Sequence, residues 1–570
     1  MTGTIRSRRA FLASAASVAV AGCSGFRYRD RYQPGERVSL AVSAPPADDD
    51  RAATTIGRRL ADRLSALGVD ASFQPKAQSQ LYLDALINHD FDVFVARHPG
   101  LARPDALYPL LHSKFAPEPG WQNPFGSTSV AIDDSLEALR SSSDTAAALA
   151  EFLAAYVERV PFAVVAAPEF LTARRRSLSV PAEAVTERPL DVLGQLAAVD
   201  LDRPLRCGIF SGELTENRNP IAGEFRWTNQ LLGLVYDSLA RRPRDADGFV
   251  PWAAGDWRFD GDTLVADLRP GQTFHDGTPV TADDVVFTLE FLSDTSMGEA
   301  SSPLPATRFR GRTTLVSSAH AVDDTTVRFR VASDVDPNTA ERVLTLPILP
   351  EAEWSERTDL VDDRVTKALV WENRKPVGSG PLAFASATVD ESVRLEPFAD
   401  HFLADVADEP AARYAAALDG EGVYARYAPS GEDALAALAD GRLDTSIHEF
   451  PLAAFVDADD ADDVGTATAP SRGLYVVGYN VRRGPLSDFH FRQILARLHD
   501  REAVARETFA GYATPTDVPV VPAWDTDDVA TDEYTVGSFP GRDGELDADA
   551  GRRLFEDAGY TYDDDGNLFR

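Results

Sequence analysis

An α/β fold with more than one hydrophobic core is predicted by three features of the 570-residue sequence. Strand-like and helix-like segments alternate throughout, the stretch after residue 36 follows a βαβαβ order, and 44% of residues are hydrophobic. In that stretch Arg37 to Ser43 alternates apolar and polar side chains as a strand does. Thr54 to Leu67 carries apolar residues at helical spacing, and Gly68 follows as a stop. Val69 to Phe73 predicts a second strand, Gln80 to Asn88 a second helix and Phe91 to Val95 a third strand. The acidic run Asp457 to Asp463 reads as a solvated loop. Asp563-Asp564-Asp565-Gly566 reads as a turn, because its spacing lacks the alternating ligands and sixth-position glycine of a calcium loop.

Ahead of the first strand lies an export leader. Ser7-Arg8-Arg9-Ala10-Phe11-Leu12 precedes a short run of small apolar residues that ends in Val20-Ala21-Gly22-Cys23. A basic start, a short apolar stretch and a small-residue processing site mark a secretory signal. The run is too short for a bilayer, which takes roughly 20 apolar residues. Paired arginines before Phe-Leu resemble the twin-arginine route for folded proteins, and small residues leading into Cys23 resemble a lipobox whose thiol is acylated. Residues 1–23 are therefore read as the signal and 24–35 as a polar spacer. The expected location is the extracellular face of the membrane, held by lipid. Cys207 is the second and last cysteine; its strand-like surroundings predict a small buried hydrophobe, and no internal disulfide is left to form.

The formal net charge is −34, from 90 acidic and 56 basic residues, and lysine occurs only at 76, 114, 367 and 375. Acidic excess with few lysines reads as adaptation to high salt, a haloarchaeal character, where screening removes long-range repulsion. It argues against nucleic acid, which would want a basic stripe. No catalytic constellation is present: there is no His-Glu-x-x-His, Gly-x-Ser-x-Gly, phosphate-binding glycine loop or Cys/His cluster, and His448-Glu449 lacks a second histidine. No enzymatic activity, cofactor or metal site is therefore expected.

From Pro204 onward eight ordered motifs resemble the family 5 extracellular solute-binding proteins, the peptide- and nickel-binding class of ABC importers. They begin with Leu232 to Leu239 and Leu268 to Val285, the latter containing Phe274-His275-Asp276-Gly277-Thr278-Pro279. Leu349-Pro350, Pro376 to Pro381, Asp440 to Asp444, Val476 to Asn480, Phe489 to Leu495 and His499 to Val504 follow. The Phe-x-Asp-Gly-x-Pro run reads as a turn into a helix begun at Thr281, and Gly378-Ser379-Gly380-Pro381 as a hinge-like crossing. The resemblance implies a two-lobed, type II periplasmic-binding-protein-like fold with the ligand trapped between lobes. It also implies a monomer working with an ABC permease and ATPase. A surface sensor of the same fold and an oligopeptide-binding protein stay open as alternatives.

The order of the resemblance is unusual. Asp547 to Asn567 resembles a family segment normally followed by a further strand and helix, and those counterparts occur at the front. Val38 to Ser43 resembles the strand, Ile56 to Asp70 the helix, Asp90 to Phe94 a later strand and Pro161 to Val165 the terminal segment. A circular permutation is expected, tolerated where chain ends lie close at the surface. It would place lobe 2 at 36–165 and 473–570 and lobe 1 at 166–472. An unrelated N-terminal module fused to a shortened binding protein is the alternative.

The resemblance also places candidate ligand contacts. Peptide-binding relatives carry an aromatic and an α-amino-pairing Asp just after the strand at 91–95, where this chain has Arg97-His98-Pro99-Gly100. Arg97 and His98 suit an anionic or hydroxyl-rich ligand, since arginine offers a bidentate fork; a local carboxylate partner for Arg97 is the competing reading. Trp227 falls where lobe 1 of relatives faces the cleft, or else is a buried aromatic. Tyr475 and Asn480 lie near the second crossing.

Overall fold

The computed structural model describes residues 35–181, 184–222, 230–246, 248–406, 410–458, 461–524 and 529–570. The leader, Cys23 and Trp227 lie outside the described residues. The chain opens with strand β1 (Ser39–Ala44), helix α1 (Arg51–Ala66), strand β2 (Asp70–Pro75) and strand β3 (Val93–His98). Helix α1 starts earlier than its apolar periodicity indicates, because the Asp50 carboxylate caps it by accepting from the Ala53 N–H at 2.9 Å. β1 pairs in parallel with both β2 and β3. Helices α2 (Val130–Ser141) and α3 (Thr145–Arg159) then lead into a 14-residue strand, β4 (Phe162–Arg175).

Helix α4 (Pro189–Ala198) and strand β5 (Leu205–Ile209) begin the second half. A separate antiparallel sheet follows, made of β6 (Ala254–Asp260), β7 (Thr263–Leu268), β8 (Val316–Ala321) and β9 (Thr326–Val331). Helix α5 (Ala282–Ser293) lies in sequence between β7 and β8; the Asp284 carboxylate caps it by accepting from the Thr281 N–H. The main sheet continues through β10 (Leu382–Thr388), β11 (Ser392–Pro397), β12 (Val423–Tyr427), β13 (Thr445–Ser446), β14 (Val464–Pro470) and β15 (Leu474–Tyr479). Helices α6 (Phe489–Arg497) and α7 (Arg501–Thr508), strand β16 (Ala513–Pro515) and helix α8 (Ala548–Asp557) close the chain.

One sheet runs through both halves in the order β10-β11-β12-β5-β13-β4-β15-β3-β1-β2, with β14 and β16 also on β4. β4 is the shared member. Its first residues, Phe162 to Ala166, pair with β15, and its later residues, Glu169 to Arg175, pair with β14. The chain passes between the halves at two neighbouring places, within β4 near Ala167 and through Ser471-Arg472-Gly473. Each half has its own core, so each is a lobe. In lobe 2, strand alternation sends Val93, Val95, Ala163, Val165 and Val477 to the face covered by α1. Phe94, Ala96, Phe162, Val164 and Val476 face the opposite side, beneath α2 and α3. Cys207 is fully buried in lobe 1.

Residues 35–38 meet the C-terminal residues in lobe 2. Gly35 N–H donates to Arg570 O at 3.0 Å, Val38 N–H to Leu568 O at 2.9 Å, and Leu568 N–H to Gly68 O at 2.8 Å. Asp563 forms the predicted turn, its carboxylate accepting from the Asp565 and Asn567 N–H groups. One expectation is corrected. Gly378 and Gly380 are not a crossing; they lie inside lobe 1 with ordinary φ, and a Cβ on either would run into the carbonyls of Val235 and Leu234. Their smallness serves close backbone packing. Among the described residues, no helix is long and apolar enough to cross a membrane.

Candidate functional site: the cleft between the lobes

The lobes meet across a cavity of about 970 Å³, within the range of small-molecule sites. It opens at the carboxyl end of β3, where α/β sheets place their ligand crevices. The lobes touch around it. Arg310 of lobe 1 forks onto Glu118 of lobe 2, with Nε–Oε2 at 2.9 Å and Nη2–Oε1 at 3.0 Å. Gln122 Nε2 donates to Thr307 O at 2.8 Å, and the Asp336 N–H to the carbonyl of Arg140 on α2 at 3.0 Å. Arg342 also pairs with Asp105.

Arg97 and His98, at the end of β3, both line the cavity. Arg97 makes a bidentate pair with Glu449 of lobe 1, at 2.9 and 2.5 Å. The guanidinium is therefore occupied by a carboxylate as well as placed at the cleft wall. His98 is buried, its ring edge-on to Trp121 with centroids 4.8 Å apart, and its Nδ1 accepts from the Gly100 N–H. Burial pulls its pKa down to about 3, so the ring is neutral at ordinary pH.

The rest of the wall is rich in arginine. Among the described residues, ten arginines line the cavity against three carboxylates, Glu187, Asp245 and Glu449. Arg188 is drawn down to about 10 by burial and then by the like charges of Arg472 and Arg244. Arg342 falls to about 9 through burial and the nearby Arg103 and Arg472. Arg312, bonded through Nη1 to Thr345 O at 2.7 Å, is drawn down to about 10 by burial alone. Burial pushes Glu187 up, but Arg472, Arg244 and Arg188 outweigh it and hold the carboxyl below its usual range. None of Arg103, Arg188, Arg312, Arg342 and Arg472 is singled out by a sequence motif.

Two other expected contacts lie elsewhere. Tyr475 belongs to the buried face of lobe 2 under α1, with its hydroxyl 3.2 Å from Asp50 Oδ1. Asn480 is buried and donates through Nδ2 to the carbonyls of His89 and Phe91, both at 3.0 Å. Neither lines the cavity. β15 sits between β3 and β4 in mid-sheet, so its side chains point into the two cores of the lobe instead of its edge. No group of three or more metal-ligating side chains occurs among the described residues.

Two lobes, two adjacent crossings and a cavity between them define a ligand-enclosing architecture. The chain belongs to the bacterial extracellular solute-binding proteins, family 5, whose model matches residues 248–569, more than half of its length. Curated relatives include the glutathione-binding protein GsiB of Pectobacterium atrosepticum, 23% identical over 303 residues that cover 53% of this chain and 51% of that protein. The oligopeptide-binding protein AppA of Bacillus subtilis is 25% identical over 265 residues, covering 45% and 42%. The chain thus spans about half the length of the curated relatives it matches. Among solved structures, NikZ from Campylobacter jejuni in complex with Ni(L-His) aligns with TM-score 0.44 and 16% identity over 65% of this chain and 66% of that one. AppA from Bacillus subtilis in complex with a nonapeptide aligns with TM-score 0.44 and 18% identity over 63% and 65%. These relatives are binding proteins, not enzymes.

Proposed function

We propose that this chain is a lipid-anchored solute-binding protein on the outer face of the cell membrane. It captures a small solute between its lobes and delivers it to an ABC permease with its ATPase. The observation that carries this reading is the cavity at the end of β3, bounded by both lobes beside two adjacent crossings. Such a hinge lets a ligand select the closed state by contacting both walls at once. The Arg97–Glu449 and Arg310–Glu118 pairs act as latches across the closed cleft.

Lobe 2 is read as residues 36–165 and 473–570, and lobe 1 as 166–472. On this reading the N-terminal segment is the family's C-terminal portion carried to the front. Support comes from β1 and β3, which extend the lobe 2 sheet beside β15, and from the hydrogen bonds of Gly35 and Val38 to Arg570 and Leu568. A chain rearranged by joining Arg570 to Gly35 and opened between Arg176 and Glu187 should fold with unchanged cooperativity in urea; failure to fold would argue for a fused module. Replacement of Cys23 by serine should release the protein from the membrane fraction into the medium. Retention of C23S in that fraction would contradict the anchor. Uptake of the captured solute should stop when the permease is deleted, whereas a sensor would keep signalling.

A further inference from the structure

We propose that the solute held in this cleft is a small organic polyanion, carrying at least two carboxylate or phosphate groups, gripped by arginines from both lobes. The proposal rests on the solute-binding reading above and names the ligand class for the same cavity.

The charge of the wall is the first argument. In a chain of net charge −34, the described residues of the lining include ten arginines, no lysine and three carboxylates. Carboxylates just behind the wall reduce the excess without removing it: Asp237 takes Arg241, Asp191 takes Arg244 and Asp105 takes Arg342. Asp245 is itself shared with Arg413. Among the described residues, Arg103 and Arg312 make no ion pair. Burying a charge without a partner is costly, so a fold that gathers several at one cavity needs a compensating anion there.

Placement is the second argument. Arg103 comes from lobe 2, Arg188, Arg312 and Arg342 from lobe 1, and Arg472 from the crossing itself. These groups are close enough to repel one another: Arg103 and Arg472 both act on Arg342, and Arg472 acts on Arg188. A ligand with two or more anionic groups can meet guanidinium forks on both walls at once and so favour closure. The ten-residue helix α4 adds to the field. The capping residue Arg188 and the first helical residues Pro189 and Leu190 line the cavity, so the positive end of its dipole lies at the same space. Guanidinium also fits both candidate anions, since its planar fork matches carboxylate and phosphate oxygens.

Isothermal titration of the full-length protein at high KCl tests the proposal with four probes: citrate, fructose 1,6-bisphosphate, trialanine and maltotriose. Citrate and phosphates stabilise proteins non-specifically at high concentration, so the readout is saturable binding and not a thermal shift. Saturable binding is expected for at least one of the two anions, and which one distinguishes carboxylate from phosphate. Arg103→Gln should weaken it at least about tenfold, the scale of one charge-assisted contact, while the ligand-free melting temperature stays unchanged or rises. Arg312→Gln should weaken it similarly. Binding of trialanine or maltotriose with neither anion bound would overturn the polyanion and leave the solute-binding reading standing. Anion binding that survives both substitutions would also overturn it. No binding of any probe would count against both readings.

Discussion

Two sets of arginines on the cleft wall serve opposite purposes. At the carboxyl end of β3, Arg97 is clamped by Glu449 across the lobes, so its charge is spent on holding the walls together. Arg103 and Arg312 reach the same cavity without an ion pair among the described residues, and Arg103 and Arg472 both press on Arg342. A guanidinium in a cleft is therefore not by itself a ligand contact. What separates latch from grip is whether the opposite wall supplies the anion.

That contrast can be broken experimentally, beginning at the latch. Arg97→Ala leaves Glu449 partly buried without its counter-charge and should cost about 3 kcal/mol in urea denaturation; adding Glu449→Ala should recover part of the loss. A neutral Arg97→Ala would show that the pair does not hold the lobes. The next effect is acid sensitivity. His98 and His448 have folded-state pKa values of about 3, drawn down by burial from 6.5. Their contribution is fully present above pH 6.5 and is lost as pH falls toward 3. Between pH 6.5 and 5 each should cost about 2 kcal/mol. Stability measured against pH should show a shallower slope in His98→Asn; an unchanged slope would mean that this ring titrates normally.

A smaller effect is expected at the second latch. Glu118→Gln weakens the fork with Arg310 and should lower ligand affinity about fivefold, or about 1 kcal/mol, by favouring the open state. Calorimetry on the variant checks this, and unaltered affinity would place the contact outside the closure equilibrium. The smallest effect belongs to Arg103→Gln, whose ligand-free stability should move by less than about 0.5 kcal/mol. A large loss there would make Arg103 a structural residue like Arg97.

Much of the fold was legible because its signals are local. The apolar run around β3 and the alternation of β1 follow directly from strands buried on one or both faces. The start of α1 was misplaced since Asp50 caps it before the apolar periodicity begins. Gly378 and Gly380 misled for another reason: a glycine chosen for close packing against Val235 and a glycine chosen for a hinge are identical in sequence. Arg97 and His98 reach the cavity wall because they end β3, whose carboxyl end opens on the cleft. Tyr475 and Asn480 shared the neighbourhood of a crossing, yet the mid-sheet position of β15 turns both inward. Arg188, Arg312, Arg342 and Arg472 come from four distant segments without a motif, and only the folded lobes bring them together.

Ligand capture requires the two lobes to close by bending at β4 and at Ser471 to Gly473. Electron–electron resonance between spin labels at Asp62→Cys on lobe 2 and Glu290→Cys on lobe 1 measures it directly, since both positions are exposed and Cys207 is buried; Cys23 is replaced by serine. A broad distance distribution is expected in the free protein, narrowing to one short distance when whichever probe binds in the calorimetric titration is added. A single distribution, unchanged by that saturating probe, would contradict closure.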